Sequence, residues 1–302
     1  MFTEVLRRQI HHRKNPSMIK SSDREAKLSQ FCHDYVDVGM PGLVHCLWHP
    51  RRCLSAFVAV HQIPSLRADP ADSVEGIVIR DELSQGSALR RRIFPAMAVL
   101  TLPRHPGHYE LGPSKQTLRR KVRRAQRLGV RWAKVDDPGE RRRLLELATE
   151  WERNHPVDCY RTPNPDLSSL PSYGLWLAAY SAGGRPLLLS VTPVDGEWAL
   201  LRYFRTLTTS EEASTGRYLM TQVLVEHLVR LGAQYLIDQS SPLRLANGLR
   251  HYQRMLGFRL VRFHLIPRGR STLRERRNAQ QPRPASLRWQ DNADLMPASA
   301  SR

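Results

Sequence analysis

The clearest pattern of apolar and polar positions lies between residues 113 and 267. Short apolar or alternating runs, which are typical of strands, occupy residues 130–135, 175–180, 186–192, 198–207, 235–238 and 258–265. Apolar residues recur at helical spacing in residues 140–153, 217–231 and 243–256. The Asp195-Gly196 dipeptide predicts a tight hairpin turn, and Gly232 predicts the left-handed end of a helix. The pattern therefore predicts a mixed α/β unit in the order strand, helix, three strands, helix, strand, helix, strand.

A basic helix is predicted to precede this unit. Ser114 is a suitable N-cap and Gly129 a suitable residue just beyond the C-terminal end. Leu118, Val122 and Ala125 form a narrow apolar stripe for docking. The remaining surface carries a run of cations without an intervening acid, which comprises Lys115, Arg119, Arg120, Lys121, Arg123, Arg124 and Arg127. Such a face fits the phosphates of RNA or an acidic lipid headgroup, and the alternative is a solvated surface helix.

The length of 302 residues suits two domains of ordinary size. Apolar runs bounded by Pro, Gly and Asp predict strands at residues 42–48, 57–63 and 94–102. The chain is expected to divide into a flexible basic arm at 1–30, a β-rich unit at 31–112, the basic helix and second α/β unit at 113–267, and a disordered basic tail at 268–302.

Composition narrows the class of partner. The chain has 47 Lys and Arg against 28 Asp and Glu, a formal net charge of +19, which favours anionic partners such as nucleic acid, acidic lipid or phosphate-rich cofactors. The four cysteines form no Cys-x-x-Cys pair, and no His/Cys set has zinc-ligand spacing, so a reducing compartment and no metal are expected. No signal peptide and no membrane-spanning run is found, so the protein is expected to be cytoplasmic and not transmembrane.

Residues 211–220 read Glu-Glu-Ala-Ser-Thr-Gly-Arg-Tyr-Leu-Met. They resemble the Gln/Arg-x-x-Gly-x-Gly/Ala segment of the GNAT acyltransferase superfamily, in which backbone N–H groups at a helix N-terminus hold the pyrophosphate of coenzyme A. Glu211 and Ser214 depart from that pattern, and the alternative is an ordinary core helix with a Ser/Thr cap. The resemblance implies that an acyl-CoA cofactor is bound by Ser214, Thr215, Gly216, Arg217 and Tyr218.

A second stretch, His-Tyr-Gln-Arg-Met-Leu-Gly-Phe at residues 251–258, resembles the GNAT pattern Tyr-x-x-x-Gly-Phe, whose Tyr often serves as general acid. Gln253 stands at the Tyr position. Tyr252 is one residue earlier and about 100° round the helix, so it is interpreted either as that acid or as a core residue. Asp238 ends a predicted strand near where acceptor amines approach in this fold. It is the candidate base that deprotonates an ammonium, with a capping or turn role as the alternative.

The basic helix, followed by Gly129-Val130, resembles the segment that opens the transferase domain of the Fem enzymes and the lysyl-phosphatidylglycerol synthases. These GNAT relatives take an aminoacyl group from transfer RNA and carry two GNAT-like units in tandem. The resemblance therefore implies a three-layer α+β fold, with a mixed central sheet flanked by helices and two GNAT-like units.

The main functional prediction is an N-acyltransferase that moves an acyl group from acyl-CoA, most simply acetyl-CoA, to an amine. The donor is expected between splayed fourth and fifth strands of the GNAT-like sheet. One alternative is an aminoacyl-tRNA-dependent transferase that grips RNA with the basic helix. Another is a catalytically silent GNAT-like protein that binds nucleic acid or an acidic surface.

Overall fold

A computed structural model describes residues 28, 30, 47–84, 96–239, 245 and 247–266. The helices of this part of the chain are α1 (Pro50–His61), α2 (Val74–Ser84), α3 (Gln116–Arg127), α4 (Pro138–Arg153), α5 (Glu211–Arg230) and α6 (Asn247–Leu256). The strands are β1 (Ser65–Ala68), β2 (Ala96–Thr101), β3 (Arg131–Lys134), β4 (Leu175–Tyr180), β5 (Pro186–Thr192), β6 (Val194–Asp195), β7 (Trp198–Leu201), β8 (Tyr203–Thr206), β9 (Tyr235–Asp238) and β10 (Arg259–Leu265).

Strands from both ends of the sequence share one six-stranded sheet in the order β1-β10-β2-β9-β7-β6. Strand β2 lies between β9 and β10 and runs antiparallel to both. Strand β1 runs parallel to β10 at the edge. Strands on either side of residue 112 are therefore hydrogen-bonded together, and the division of the chain at that residue stays a prediction.

A four-stranded antiparallel sheet in the order β3-β4-β5-β8 forms the second part of the β layer. The chain passes from one sheet to the other at Arg202, between β7 and β8. The predicted hairpin at Asp195-Gly196 is confirmed, because β6 and β7 pair across it and Gly196 adopts φ +56°.

Helices cover both faces of the sheets. Helices α3, α5 and α6 contribute to the largest core, in which Val122, Leu224 and Leu256 pack with strand residues such as Leu177 and Leu236. On the other face, α4 packs on the four-stranded sheet and α2 on the six-stranded sheet. This arrangement confirms the predicted α+β class with a mixed sheet flanked by helices.

Most elements of the second unit lie where their patterns predict them. Helix α3 is confirmed, and Gly129 ends it with φ +76°. The predicted cap is wrong, because Ser114 lies in a 3-10 turn at Pro113–Lys115 and Lys115 is the N-cap of α3, without a capping side chain. The predicted strand at 198–207 is broken at Arg202 into β7 and β8.

The predicted strand at 57–63 is wrong, because residues 50–61 form helix α1. Pro50 occupies the first turn, where a helix needs no N–H donor. Ala56, Ala59 and Val60 are buried at helical spacing. The run Phe-Val-Ala-Val is apolar at every position, so its pattern does not separate a buried strand from a helix. In the strand predicted at 42–48, Leu47 and Trp48 are helical, and 42–46 lie outside the described residues.

The strand predicted at 94–102 is confirmed as β2. The arm predicted at 1–30, apart from residues 28 and 30, and the tail predicted at 268–302 lie outside the described residues. Within the described ranges, every helix is too short or too polar to cross a bilayer.

Candidate active site

Two parallel strands diverge in the middle of the β layer. Strands β7 and β9 pair as far as Leu201 and Asp238. The chain then bends at Arg202, whose backbone N–H donates to the Leu200 carbonyl at 2.8 Å. Among the described strands, β8 pairs only with β5. The strands therefore separate beside Asp238, at the position where the sequence predicts splayed strands.

Asp238 is held by a buried amide from helix α6. The Nε2 atom of Gln253 donates to Oδ2 of Asp238 over 2.6 Å, and only 8% of Gln253 is exposed. A buried amide needs a hydrogen-bonding partner, and a carboxylate only accepts hydrogen bonds, so this contact provides Gln253 with a partner and holds the carboxylate at the strand end. The sequence singled out both residues and did not predict that they meet.

Tyr252 lies at the interface of α5 and α6. Its hydroxyl is 3.0 Å from Oγ1 of Thr221 and 3.2 Å from the carbonyl oxygen of Arg217. The Arg217 guanidinium carbon lies 4.6 Å from the centre of its ring, and the Tyr218 ring meets it edge-on at 5.0 Å. Burial raises the pKa of Tyr252, so the hydroxyl stays protonated near neutral pH. The structure thus brings Tyr252 together with Arg217 and Tyr218, and its catalytic role stays a prediction.

The segment expected to bind the pyrophosphate of coenzyme A is helical from Glu211 onward. Helix α5 begins at Glu211, and Ser210 is its N-cap, accepting from the Ala213 N–H at 3.1 Å. Thr215 and Gly216 are buried inside the helix. A Ser cap followed by two glutamates is a strong helix start, because the acids favour the positive end of the helix dipole. The helix therefore starts six residues before the predicted 217, and residues 214–218 lie within its first two turns.

The acids at the start of α5 are themselves paired with arginines. The Glu211 carboxylate accepts from Nε and Nη2 of Arg124 at 3.0 and 3.2 Å, which lowers the pKa of Glu211. The Glu212 carboxylate lies 3.7 Å from Arg185. A pyrophosphate at this helix end would meet two carboxylates at the place where it needs donors. The residues at this helix start therefore do not fit the pyrophosphate of coenzyme A.

Some of the cations predicted to bind phosphate on α3 instead make hydrogen bonds within the protein. Lys115 donates to the carbonyl oxygen of Leu256 at the end of α6. Arg119 donates to the carbonyl oxygens of Glu110 and Gly112 at 2.5 and 2.8 Å. These two cations tie α3 to the preceding turns and to α6, and Arg124 reaches α5 as described.

The remaining arginines of the set form one exposed face. Arg120, Arg123 and Arg127 are exposed, and none of the ion pairs in the described part of the chain includes them. Their spacing of three and four residues places them within about 60° of one another around the helix. We call this set the arginine face of α3. Its charges are open to an anionic ligand.

Lys115 occupies a half-buried position at the end of α6. Its Nζ lies 4.1 Å from the centre of the Tyr109 ring, and the Tyr109 hydroxyl also donates to the Leu256 carbonyl, at 2.8 Å. Burial, with a smaller contribution from the charge of Arg259, lowers the pKa of Lys115 to about 8. Lys115 and Tyr109 thus both donate to the last turn of α6, the helix that carries Gln253.

The lowered pKa predicts how stability depends on pH. Between pH about 8 and 10.5 the unfolded lysine keeps its proton while folded Lys115 loses it, so the free energy of unfolding rises with pH. Chemical denaturation at about pH 7.5 and about pH 9.5 measures this rise. Lys115→Met, which removes the titrating group, is expected to give a smaller rise. If the free energy of unfolding rose equally in that variant, titrating groups other than Lys115 would be responsible for the rise.

Arg202, at the bend between β7 and β8, is an internal residue. The side chain is 9% exposed, and its Nη1 lies 3.9 Å from Oε2 of Glu82 on α2. Arg202 therefore faces a carboxylate of the protein itself at the bend between the two sheets.

Comparisons with known proteins give only distant likenesses. No protein-family model matches the chain, and a search of curated proteins found no match. Among solved structures, the C-terminal domain of a proposed lysylphosphatidylglycerol synthetase from Agrobacterium fabrum matches with a TM-score of 0.44 and 16% identity. The structure of L-PGS from Bacillus licheniformis matches with a TM-score of 0.41 and 13% identity.

Each match covers 55% of this chain and 57% of the solved chain. The chain thus spans little more than half the length of the structures it resembles. The likenesses are remote in sequence and partial in coverage, so neither carries a substrate or an activity to this chain.

Proposed function

We propose that the chain is an aminoacyltransferase that takes its aminoacyl group from transfer RNA and passes it to an amine. One observation carries the proposal. The arginine face of α3 is open to an anionic ligand, while the start of α5 is closed to a pyrophosphate by Glu211 and Glu212. This distribution of charge suits aminoacyl-tRNA, whose phosphate backbone can lie along α3, better than acyl-CoA, whose pyrophosphate would bind at the N-terminus of α5.

The proposed chemistry is centred on Asp238. Its carboxylate takes a proton from the acceptor ammonium, and the freed amine nitrogen attacks the carbonyl carbon of the aminoacyl ester. The tetrahedral intermediate collapses by breaking the bond to the ribose oxygen, which leaves as a hydroxyl with the second proton that the attacking nitrogen gives up. Gln253 keeps the carboxylate of Asp238 in place through the 2.6 Å hydrogen bond.

A second candidate is the acyl-CoA-dependent N-acyltransferase. The divergence of β8 from β9 favours it, because this is where the donor is expected in GNAT-like folds. The charges at the start of α5 count against it. The third candidate, a silent nucleic-acid-binding protein, shares the arginine face and differs only in lacking transfer.

Titration of the purified full chain tests these candidates. We expect total tRNA to bind with an affinity that falls steeply as salt rises, and acetyl-CoA to show no saturable binding. Micromolar, salt-insensitive binding of acetyl-CoA would overturn the proposal in favour of the second candidate. Binding of charged tRNA without transfer to any of a panel of amines would favour the silent protein.

A further inference from the structure

Helix α1 carries apolar side chains on two opposite faces. Its inner face packs through Ala56, Ala59 and Val60 against Leu28 and Ile63. This cluster also contacts strand residues of the six-stranded sheet. The inner face thus attaches α1 to the described part of the protein, and this cluster contains no residue of the outer face.

The outer face of α1, with the helical residues just before it, is apolar and exposed. The exposed fractions are 79% for Leu47, 73% for Trp48, 64% for Leu54, 42% for Phe57 and 45% for Val58. Leu54, Phe57 and Val58 have the i, i+3, i+4 spacing of one helix face. Contiguous exposed apolar surface on a water-soluble protein marks a binding site more often than chance, because it is costly to leave in water. We call these five residues the apolar face of α1.

A cationic side chain lies beside the apolar face. Arg51 is exposed in the first turn of α1, about 60° around the helix from Leu54. The sequence contains no acidic residue from 38 to 68, whereas the chain as a whole contains 28. The ligand of this face is therefore expected to combine apolar matter with negative charge.

An anionic membrane surface has both properties. Aromatic residues settle at the headgroup level, leucine and valine enter the acyl boundary, and arginines attract acidic headgroups. RNA supplies the charge without an apolar layer for Leu47 and Leu54. A second copy of this face would supply apolar contact and no negative charge, because the sequence has no acidic residue from 38 to 68. At 12 residues α1 is too short to span a bilayer, so it would lie in the interface plane.

We propose that the apolar face of α1 docks the protein on a membrane surface that contains anionic phospholipid. This inference concerns where the protein binds and does not depend on the aminoacyl transfer proposed above. Docking through α1 leaves the arginine face of α3, on a different helix, as a separate feature of the surface.

Co-sedimentation of the full chain with vesicles tests the docking. We expect binding to phosphatidylcholine vesicles that contain about 30 mol% phosphatidylserine, and little binding to pure phosphatidylcholine. The double variant Leu47→Glu/Leu54→Glu is expected to lose at least about tenfold in vesicle affinity. Both side chains are mostly exposed, so the variant is expected to fold, which circular dichroism checks.

The matched control is Leu111→Glu/Leu231→Glu. These leucines are 60% and 57% exposed, and the control changes the net charge equally. We expect the control to bind vesicles like the unchanged protein. An equal loss of vesicle affinity in both variants would show that the added negative charge alone acts, and it would overturn the proposal. The proposal would also be overturned if the protein formed a dimer that Leu47→Glu/Leu54→Glu abolished while vesicle binding persisted. The proposal would likewise be overturned if both double variants bound vesicles as tightly as the unchanged protein.

Discussion

Replacing Asp238 with Asn is expected to lower the rate of aminoacyl transfer by about a hundredfold or more, with little change in tRNA affinity. Asn keeps the shape of the side chain and can still accept the hydrogen bond from Gln253. It cannot take a proton from the acceptor ammonium. The effect should therefore fall on the rate of the chemical step and not on binding. Transfer from labelled aminoacyl-tRNA to a small primary amine measures it.

Gln253 provides the matched test of positioning. Gln253→Met has a similar volume and removes the Nε2 donor that holds Asp238 over 2.6 Å. We expect a smaller loss of rate, about tenfold, because a loosely held carboxylate is productive for less of the time. The double variant should be no slower than Asp238→Asn alone, since Gln253 acts only through Asp238. Independent, additive losses would contradict this role, and an unchanged rate in Asp238→Asn would remove Asp238 from the mechanism.

The second unit could be predicted because its elements have simple burial patterns. Helix α4 buries Leu144 and Ala148 on one face and exposes most of its charged residues, so its apolar spacing indicates a helix, although Glu152 is buried one turn further on. Gly129, Gly196 and Gly232 adopt positive φ, which other residues rarely do. Their positions in the sequence therefore predict where two helices end and where one hairpin turns. Local conformation and tertiary packing agree in these segments.

The elements before residue 112 were harder to predict because their surroundings come from the far end of the chain. Helix α1 has an apolar run without a polar face, so no period distinguishes it from a buried strand. Strand β1 pairs with β10, about two hundred residues later in the sequence, at Ser65 and Arg262. Long-range pairing of this kind leaves no local signal.

The candidate site was predicted residue by residue, but its contacts were not. Gln253 was recognised as a departure from a family pattern, and the structure shows the physical reason for an amide there, which is the Asp238 carboxylate. The apolar spacing predicts a helix start at 217 and so misses the start at Ser210, because residues 211–216 contain only one large or aliphatic side-chain position at helical spacing, Ala213. Ser210 followed by Glu211 and Glu212 carried a capping signal that could have placed it.

Neutralising the arginine face of α3 is expected to weaken tRNA binding by about ten- to a hundredfold at moderate salt. The variant is Arg120→Gln/Arg123→Gln/Arg127→Gln. Gln has nearly the same helix propensity as Arg, so α3 is expected to persist. Each phosphate contact contributes about 0.7 to 0.9 to the slope of log affinity against log salt, so the loss of three should flatten the slope by about two. Fluorescence anisotropy with labelled tRNA at several salt concentrations measures both quantities.

A control variant of equal charge separates local contact from long-range attraction. Arg104, Arg142 and Arg153 are exposed on other parts of the surface, and their replacement by Gln lowers the net charge equally. Attraction by the whole protein would make the two variants equally weak, because at low salt it depends on total charge. Direct phosphate contact at α3 predicts that only the α3 variant loses slope. Since Lys115, Arg119 and Arg124 are engaged within the protein, most of the contact at α3 should come from the three exposed arginines, and a normal slope in their absence would exclude α3 as the RNA-binding surface.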